Sequence, residues 1–258
     1  MPHNKRAAES LARALEFMRA VLLSTADHTR PVAAGVLVVS TPSLPAVWSA
    51  NQLLVTERLD FDDLVRLADE EFPGLGYVEI AVEHQESGPT LESAFRAASW
   101  KVERDVMMVL SQLPDRTVDT GIVVEAGEDE LMELMARWYS EDPGPTPTEC
   151  RELVDYNRRE AGVHGDRMLG VRSSDGQLVA ISKLRSDRST AQVEDVYTVP
   201  EARGRGFARA LVSRAVELAC ADGAGLTFIV ADDNDWPQLL YARIGFRPVG
   251  HVWHFHRS

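Results

Sequence analysis

The chain has 258 residues, 45% of them hydrophobic, enough for one large domain or two smaller ones with a buried core. A formal charge of −13 excludes a non-specific nucleic-acid binder, which needs a basic surface, and suits a cationic partner. With only Cys150 and Cys220 a disulfide framework is excluded, and a reducing, cytoplasmic setting is expected.

The first apolar run, "ALEFMRAVLL", is broken by Glu16 and Arg19. It is too charged and too short to span a membrane, and no cleavage site follows a signal-like core. Leu11, Leu15, Met18 and Leu22 recur at helical spacing, so an amphipathic helix is expected. Strands are expected at "PVAAGVLVVS", "AVWSANQLLV", "YVEIAVEH" and "VERDVMMVL". Helices are expected at "DFDDLVRLADEEF", capped by Asp60, and at "TLESAFRAASW", capped by Thr90. The polar stretch Ser111–Gly121 has a proline and no period, which marks a domain boundary. Two domains are therefore expected, at 1–115 and 118–258.

Beyond the boundary, "IVVEA" reads as a strand and "EDELMELMARWYS" as a helix. The loop "EDPGPTPTE" has three prolines and can neither continue that helix nor pair in a sheet. A second helix follows at "TECRELVDYNRREAG". Next comes a hairpin turning at Asp175-Gly176, then the central strand "AQVEDVYTV". A helix from the glycine loop runs to a stop at Gly223, with Leu211, Ala215 and Leu218 as its apolar stripe. "LTFIVAD", "WPQLLYARI" and "FRPVGHVWHF" complete a strand, a short helix and a last strand or strand pair. The order β-α-α-β-β-β-α-β-α-β predicts an α/β (α+β) fold, a mixed sheet flanked by helices. Cys150 is expected on a helix face and Cys220 inside.

The stretch "VYTVPEARGRGFARALV" carries the chemistry. Two glycines at a helix start weaken the helix unless the backbone must stay open. Gly204 and Gly206 fit the first two places of a dinucleotide fingerprint, but Arg209 stands where the third glycine belongs. The Gly-Lys-Ser/Thr of a P-loop is absent. An anion cradle of another kind remains. In it, free N–H groups at a helix start meet phosphate, and Arg203, Arg205 or Arg209 adds charge.

"VPEARGRGFARALV" resembles motif A of the GNAT superfamily of N-acetyltransferases, with Arg203, Gly206 and Ala208 in its defined positions. "NDWPQLLYARIGFRPVG" resembles a second signature of that family through Asn234, Tyr241, Gly245 and Phe246. The resemblance runs from about Gly121 to the C-terminus. It implies a largely antiparallel GNAT-type sheet and acetyl-CoA as co-substrate, with no metal. Transfer to an amine would occur by direct attack in a ternary complex. The loop, including Gly204, Arg205, Phe207 and Arg209, would hold the pyrophosphate. Tyr197, Thr198 and Val199 would pair with the pantetheine arm. Asn234 would bond that arm or steady its turn. Tyr241 would protonate the leaving thiolate. The general base would be Glu194, nine positions before Arg203, or Asp195. Adjacent strand residues face opposite ways, so only one of the two is expected in the acceptor cleft.

The first half reads as a worn copy. Aligning Trp100 with Phe246 pairs Phe95 with Tyr241 and Ser99 with Gly245. This resembles tandem GNAT proteins with one degenerate half. After "QLLV" no glycine loop follows; acidic residues crowd the next helix start, and Phe95 lacks a hydroxyl. Met1 to about Asp115 is therefore expected to be structural or to shape the substrate site, together with the loop Asp142–Thr148. An unrelated α/β domain is the alternative. His254 and His256 should share one strand face, lining the sheet edge or the acceptor site. The acceptor is expected to be a small-molecule or peptide amine, with no nucleic acid or membrane involved, in a monomer or homodimer. A non-catalytic acyl-CoA-binding protein is the competing reading.

Overall fold

Among the described residues, 2–73, 76–141 and 145–257 of a computed structural model, seven α-helices flank one eleven-stranded sheet. The N-terminal half runs α1 (Pro2–Thr25), β1 (His28–Ala33), β2 (Val36–Ser40), β3 (Gln52–Val55), α2 (Phe61–Glu71), β4 (Val78–Val82), α3 (Gly88–Ala97) and β5 (Lys101–Leu110). The C-terminal half runs β6 (Val123–Glu125), α4 (Glu128–Tyr139), α5 (Pro147–His164), β7 (Arg167–Arg172), β8 (Leu178–Ser186), β9 (Thr190–Thr198), α6 (Phe207–Ala221), β10 (Leu226–Asp232), α7 (Pro237–Ile244) and β11 (Phe246–Arg257). No helix among the described residues is long and apolar enough to cross a membrane.

The element order of the second half is the expected one. The first half differs in detail. "PVAAGVLVVS" spans a hairpin rather than one strand, because Gly35 turns the chain at φ +67° between β1 and β2. "AVWSANQLLV" begins with a 3-10 turn at Trp48–Ala50 before β3. Helix α3 starts before Thr90, at Gly88, with Pro89 in its first turn, where a missing N–H costs nothing. Cys220 is exposed near the end of α6, not buried.

The sheet order is β1-β2-β3-β4-β11-β5-β10-β9-β8-β7-β6. Each half contributes one parallel pair, β3 with β4 and β9 with β10. The last strands are exchanged: β11 lies between β4 and β5, and β5 lies between β11 and β10, all antiparallel. The antiparallel β5–β11 pair therefore sits at the centre of an approximate two-fold relation between the halves. It also places His254 and His256 in the sheet interior, not at an edge. Glycine at 245 is required there, since a Cβ would fall 2.2 Å from the carbonyl oxygen of Gln112.

Strand alternation sorts the core into two faces. One face packs Leu53, Val55, Ile80 and Val82 under α2 and α3, and Ile229, Val193 and Leu184 under α6 and α7. The opposite face packs Leu54, Ala81, Met107, Phe228 and Val252 under α1, and Ile181 and Tyr197 under α4 and α5. The candidate site lies on this second face, where α1 and α5 meet.

Candidate active site

The glycine loop begins where β9 ends. Pro200–Ala202 form a 3-10 turn, and Gly204 and Gly206 follow at φ +77° and +83°. These left-handed conformations strain any residue with a Cβ. Among the described residues, no heavy atom outside the adjoining chain lies within 4 Å of where either Cβ would stand, so the space above the backbone is open there. Gly206 is the N-cap of α6 and supplies no side-chain bond to its first N–H groups. Arg203, Gly204, Arg205 and Gly206 are exposed, and Phe207 and Ala208 are half-buried. Arg203 donates to the carbonyl of Thr198 (3.0 Å) and to Glu141 (3.3 Å). Arg209 differs: it is buried and ion-paired with Asp115 at 2.6 Å, so its charge is already engaged.

The strand edge beside this loop is unpaired. Pairing of β9 with β10 runs from Thr190↔Leu226 only to Val193↔Ile229, after which β10 continues against β5 alone. The backbone from Glu194 onward thus has one free edge. Of the three residues expected to meet pantetheine, Val199 has its N–H bonded to the Val179 carbonyl and its own carbonyl bonded by Ala202 N–H. Backbone groups of alternate residues share an edge, so Thr198 turns its N–H to the open side, while its carbonyl on that side already accepts from Arg203. Tyr197 turns its ring onto Trp138, centroids 5.2 Å apart, and its hydroxyl donates to Glu141. An open glycine cradle, an uncapped helix start and a free strand edge together fit a CoA-type diphosphate and its amide arm.

The matching position in the N-terminal half is closed. Strands β3 and β4 pair as far as Val55↔Val82, and Glu83 N–H adds a bond to the Val55 carbonyl. The Asp60 carboxylate caps α2 by accepting from Asp63 N–H at 2.9 Å, and Asp62 and Asp63 fill the first turn. A carboxylate therefore occupies the position where an anion would bind, and two more repel one. Ser99 follows α3 at φ +64°, as Gly245 follows α7 at φ +113°. Phe95, aligned with Tyr241, is fully buried and stacked on Phe255 at 4.1 Å.

Glu194 and Asp195 both line a cavity of about 370 Å³ between the halves. This corrects the expectation from strand alternation. The β8–β9 register shifts between Ile181↔Tyr197 and Lys183↔Glu194, so Ser182 opposes two residues. The bulged Asp195 adopts φ +51°, which turns its side chain to the face that Glu194 already occupies. Arg185 Nη1 lies 3.1 Å from Glu194, and its Nη2 binds Asp166 and Glu160. Gln192 Nε2 donates to Glu194 at 2.5 Å. Burial, reinforced by Glu160 and Asp195 and only partly offset by Arg185 and Lys183, pushes Glu194 up to about 7.

The N-terminal half supplies the other wall through α1, β3, β4 and β5, including Arg19, Glu83 and Asp105, while His254 comes from β11. His254 lies 3.0 Å from Glu79 and 3.4 Å from Asp105. These carboxylates outweigh its burial and push it up to about 10. Burial pushes Glu83 up to about 7 against the opposing charge of Arg19. Lys183, Arg185, Glu83 and Asp105 were not anticipated. The first two carried a signal: "SKLRS" puts two cations at alternate positions of a strand that is otherwise apolar, hence on one face.

Tyr241 lies in the core of the C-terminal half, edge-on to Phe246 at 6.4 Å, and does not line this cavity. Burial pushes it up to about 12. Asn234 is exposed in the turn before α7, its N–H bonded to Asp232 at 2.7 Å. A separate groove of about 470 Å³ between α4 and α5 is lined by Pro145, Pro147 and Cys150, and no expected catalytic residue reaches it. Of the loop expected to shape the acceptor site, Asp142–Gly144 lie outside the described residues.

Residues 130–246 match the Acetyltransferase (GNAT) family. No curated protein matches the chain significantly. The fold is shared with a functionally unknown conserved protein from Staphylococcus epidermidis (11% identity, TM-score 0.70), covering 89% of this chain and 93% of that one. A GCN5-related N-acetyltransferase from Kribbella flavida aligns over 96% of this chain and 95% of its own (17% identity, TM-score 0.64). A tandem GNAT protein from the clavulanic acid biosynthesis pathway aligns over 70% of this chain and 63% of its own (18% identity, TM-score 0.50). Residues 130–246 thus form a GNAT acetyltransferase domain, and the N-terminal half adds a second region of similar fold.

Proposed function

We propose that the chain transfers an acetyl group from acetyl-CoA to an amine by direct attack in a ternary complex. The observation that carries this reading is the convergence of three features on β9. These are the unpaired edge, the open glycine loop at its end, and a carboxylate of raised pKa on the face that lines the inter-half cavity. The N–H groups from Gly204 to Ala208 hold the diphosphate, with Arg203 and Arg205 adding charge. Thr198 bonds the amide arm at the free edge.

Bound acetyl-CoA supplies the thioester carbonyl that the amine attacks. An alkyl amine has a pKa near ~10.4, so it enters as an ammonium. Glu194, near 7, takes one proton directly or through water and leaves the lone pair free. As the N–C bond forms and the C–S bond breaks, a free N–H of β9 steadies the developing oxyanion. Tyr241 gives its proton to the departing thiolate, and the second proton shed by the acylated nitrogen restores the Tyr241 hydroxyl. The N-terminal half binds no second cofactor and shapes the acceptor wall.

An acyl-CoA-binding role without turnover leaves the raised Glu194 and the cavity before it without a purpose. CoA release measured across a panel of primary amines tests the proposal. Turnover with at least one amine is expected; bound acetyl-CoA with no turnover on any amine rejects it.

A further inference from the structure

The cavity between the halves is lined by three side chains with buried oxygens that no donor among the described residues reaches: Gln52 Oε1, Glu83 Oε2 and Gln192 Oε1. Gln52, Glu83 and Gln192 are 5%, 8% and 2% exposed. Their neighbours set which atom is free. Gln52 Nε2 donates to the Ser49 carbonyl at 2.5 Å and Gln192 Nε2 to Glu194 at 2.5 Å, so in each amide the oxygen is left over. Arg19 Nη1 approaches Glu83 Oε2 to 3.3 Å without hydrogen-bond alignment. A buried acceptor without a donor is costly, and a ligand that brings donors removes the cost.

All three atoms are acceptors, so the missing partner is rich in N–H. They also stand on both walls: Gln52 and Glu83 come from the N-terminal half and Gln192 from the C-terminal half. The charge balance points the same way. Five carboxylates line the cavity, Glu83, Asp105, Glu160, Glu194 and Asp195, against the three cationic groups Arg19, Arg185 and His254. A monoamine satisfies one wall and leaves the other without donors. A peptide brings a carbonyl acceptor with nearly every N–H, whereas a diamine brings donors alone. We propose that the acceptor is an aliphatic diamine, with one amine at Glu194 and its second cationic group held on the N-terminal wall by Glu83 and Gln52. This rests on the amine-acetylation reading for the role of Glu194, but the binding subsite can be tested without turnover.

Calorimetric titration of the full chain with the propane- to hexane-α,ω-diamines, each against its matching monoamine, is the test. The best diamine is expected to bind about tenfold tighter than its monoamine, the scale of one charge-assisted hydrogen bond. Glu83→Gln and, separately, Gln52→Met should bring that ratio towards one; either variant suffices if the other does not fold. Equal affinities across the series, a ratio unchanged in the variants, or tighter binding of a lysine peptide overturns the diamine site. CoA release on the same samples separates the two readings. Selective diamine binding without CoA release keeps the subsite and rejects acetylation; CoA release without selectivity keeps acetylation and rejects the subsite.

Discussion

Lys183 and Asp195 meet at 2.6 Å, with the lysine fully buried and its ammonium also donating to Asn157 at 2.6 Å. The pair anchors the bulge that brings Asp195 beside Glu194. Burial opposes the lysine charge, but Asp195, Glu194 and Glu160 outweigh it and hold its pKa above the usual value. Lys183→Met leaves a carboxylate without its partner and should cost about 3–5 kcal/mol. Urea denaturation should show a lower midpoint at unchanged slope. Adding Asp195→Asn should recover much of the loss; no recovery would show that the lysine acts through something else.

Gly206 separates strain from binding. Its φ of +83° with open space beyond means that Gly206→Ala pays only for backbone conformation, about 1–2 kcal/mol. Gly206→Glu adds a carboxylate at the uncapped start of α6 and should weaken acetyl-CoA binding about tenfold or more. Asp60→Ala removes the cap of α2, costs about 1 kcal/mol, and should leave acetyl-CoA affinity unchanged. Titration of acetyl-CoA into the three variants checks the set, and equal affinity in Gly206→Glu would remove the loop as the phosphate site.

The histidine pair makes stability depend on alkaline pH. Glu79 lies between His254 and His256, and nearby carboxylates raise the two imidazoles to about 10 and about 9 against the effect of burial. Raised histidine values stabilise the fold fully below the unfolded value of 6.5, and the contribution is lost as pH rises through about 9 and 10. The melting temperature should fall across that window. Glu79→Gln should flatten the fall; an equally steep decline in the variant would place its origin elsewhere.

How much of this could be read in the chain follows from which signals are local. The glycine loop, the Asp60 cap and the order of elements in the C-terminal half rest on short-range spacing and turn chemistry, and all were legible. The exchange of β5 and β11 was not, because pairing between Val102 and Phe255 leaves no mark near either residue. The bulge was hidden for another reason: Asp195 takes a positive φ without being glycine, so strict alternation misassigned its face. The N-terminal wall was missed because Glu83, just past β4, and Asp105, in β5, lie in stretches with no motif. Only the sheet order brings them opposite Glu194.

Tyr241→Phe tests the acid role apart from packing. The ring is buried and should keep its contacts with Phe246, so stability and acetyl-CoA affinity are expected to change little. The turnover rate should fall about 10²-fold or more. Unchanged turnover would remove Tyr241 from the chemistry.

Glu194→Gln offers the most direct measurement, with single-turnover acetyl transfer followed across pH beside the wild type. The wild-type rate should climb with pH and level off above about 7, as Glu194 loses its proton. The variant should bind acetyl-CoA normally, transfer about 10²–10⁴-fold more slowly, and lose that titration. Transfer at the wild-type rate with the same pH profile would contradict Glu194 as the base.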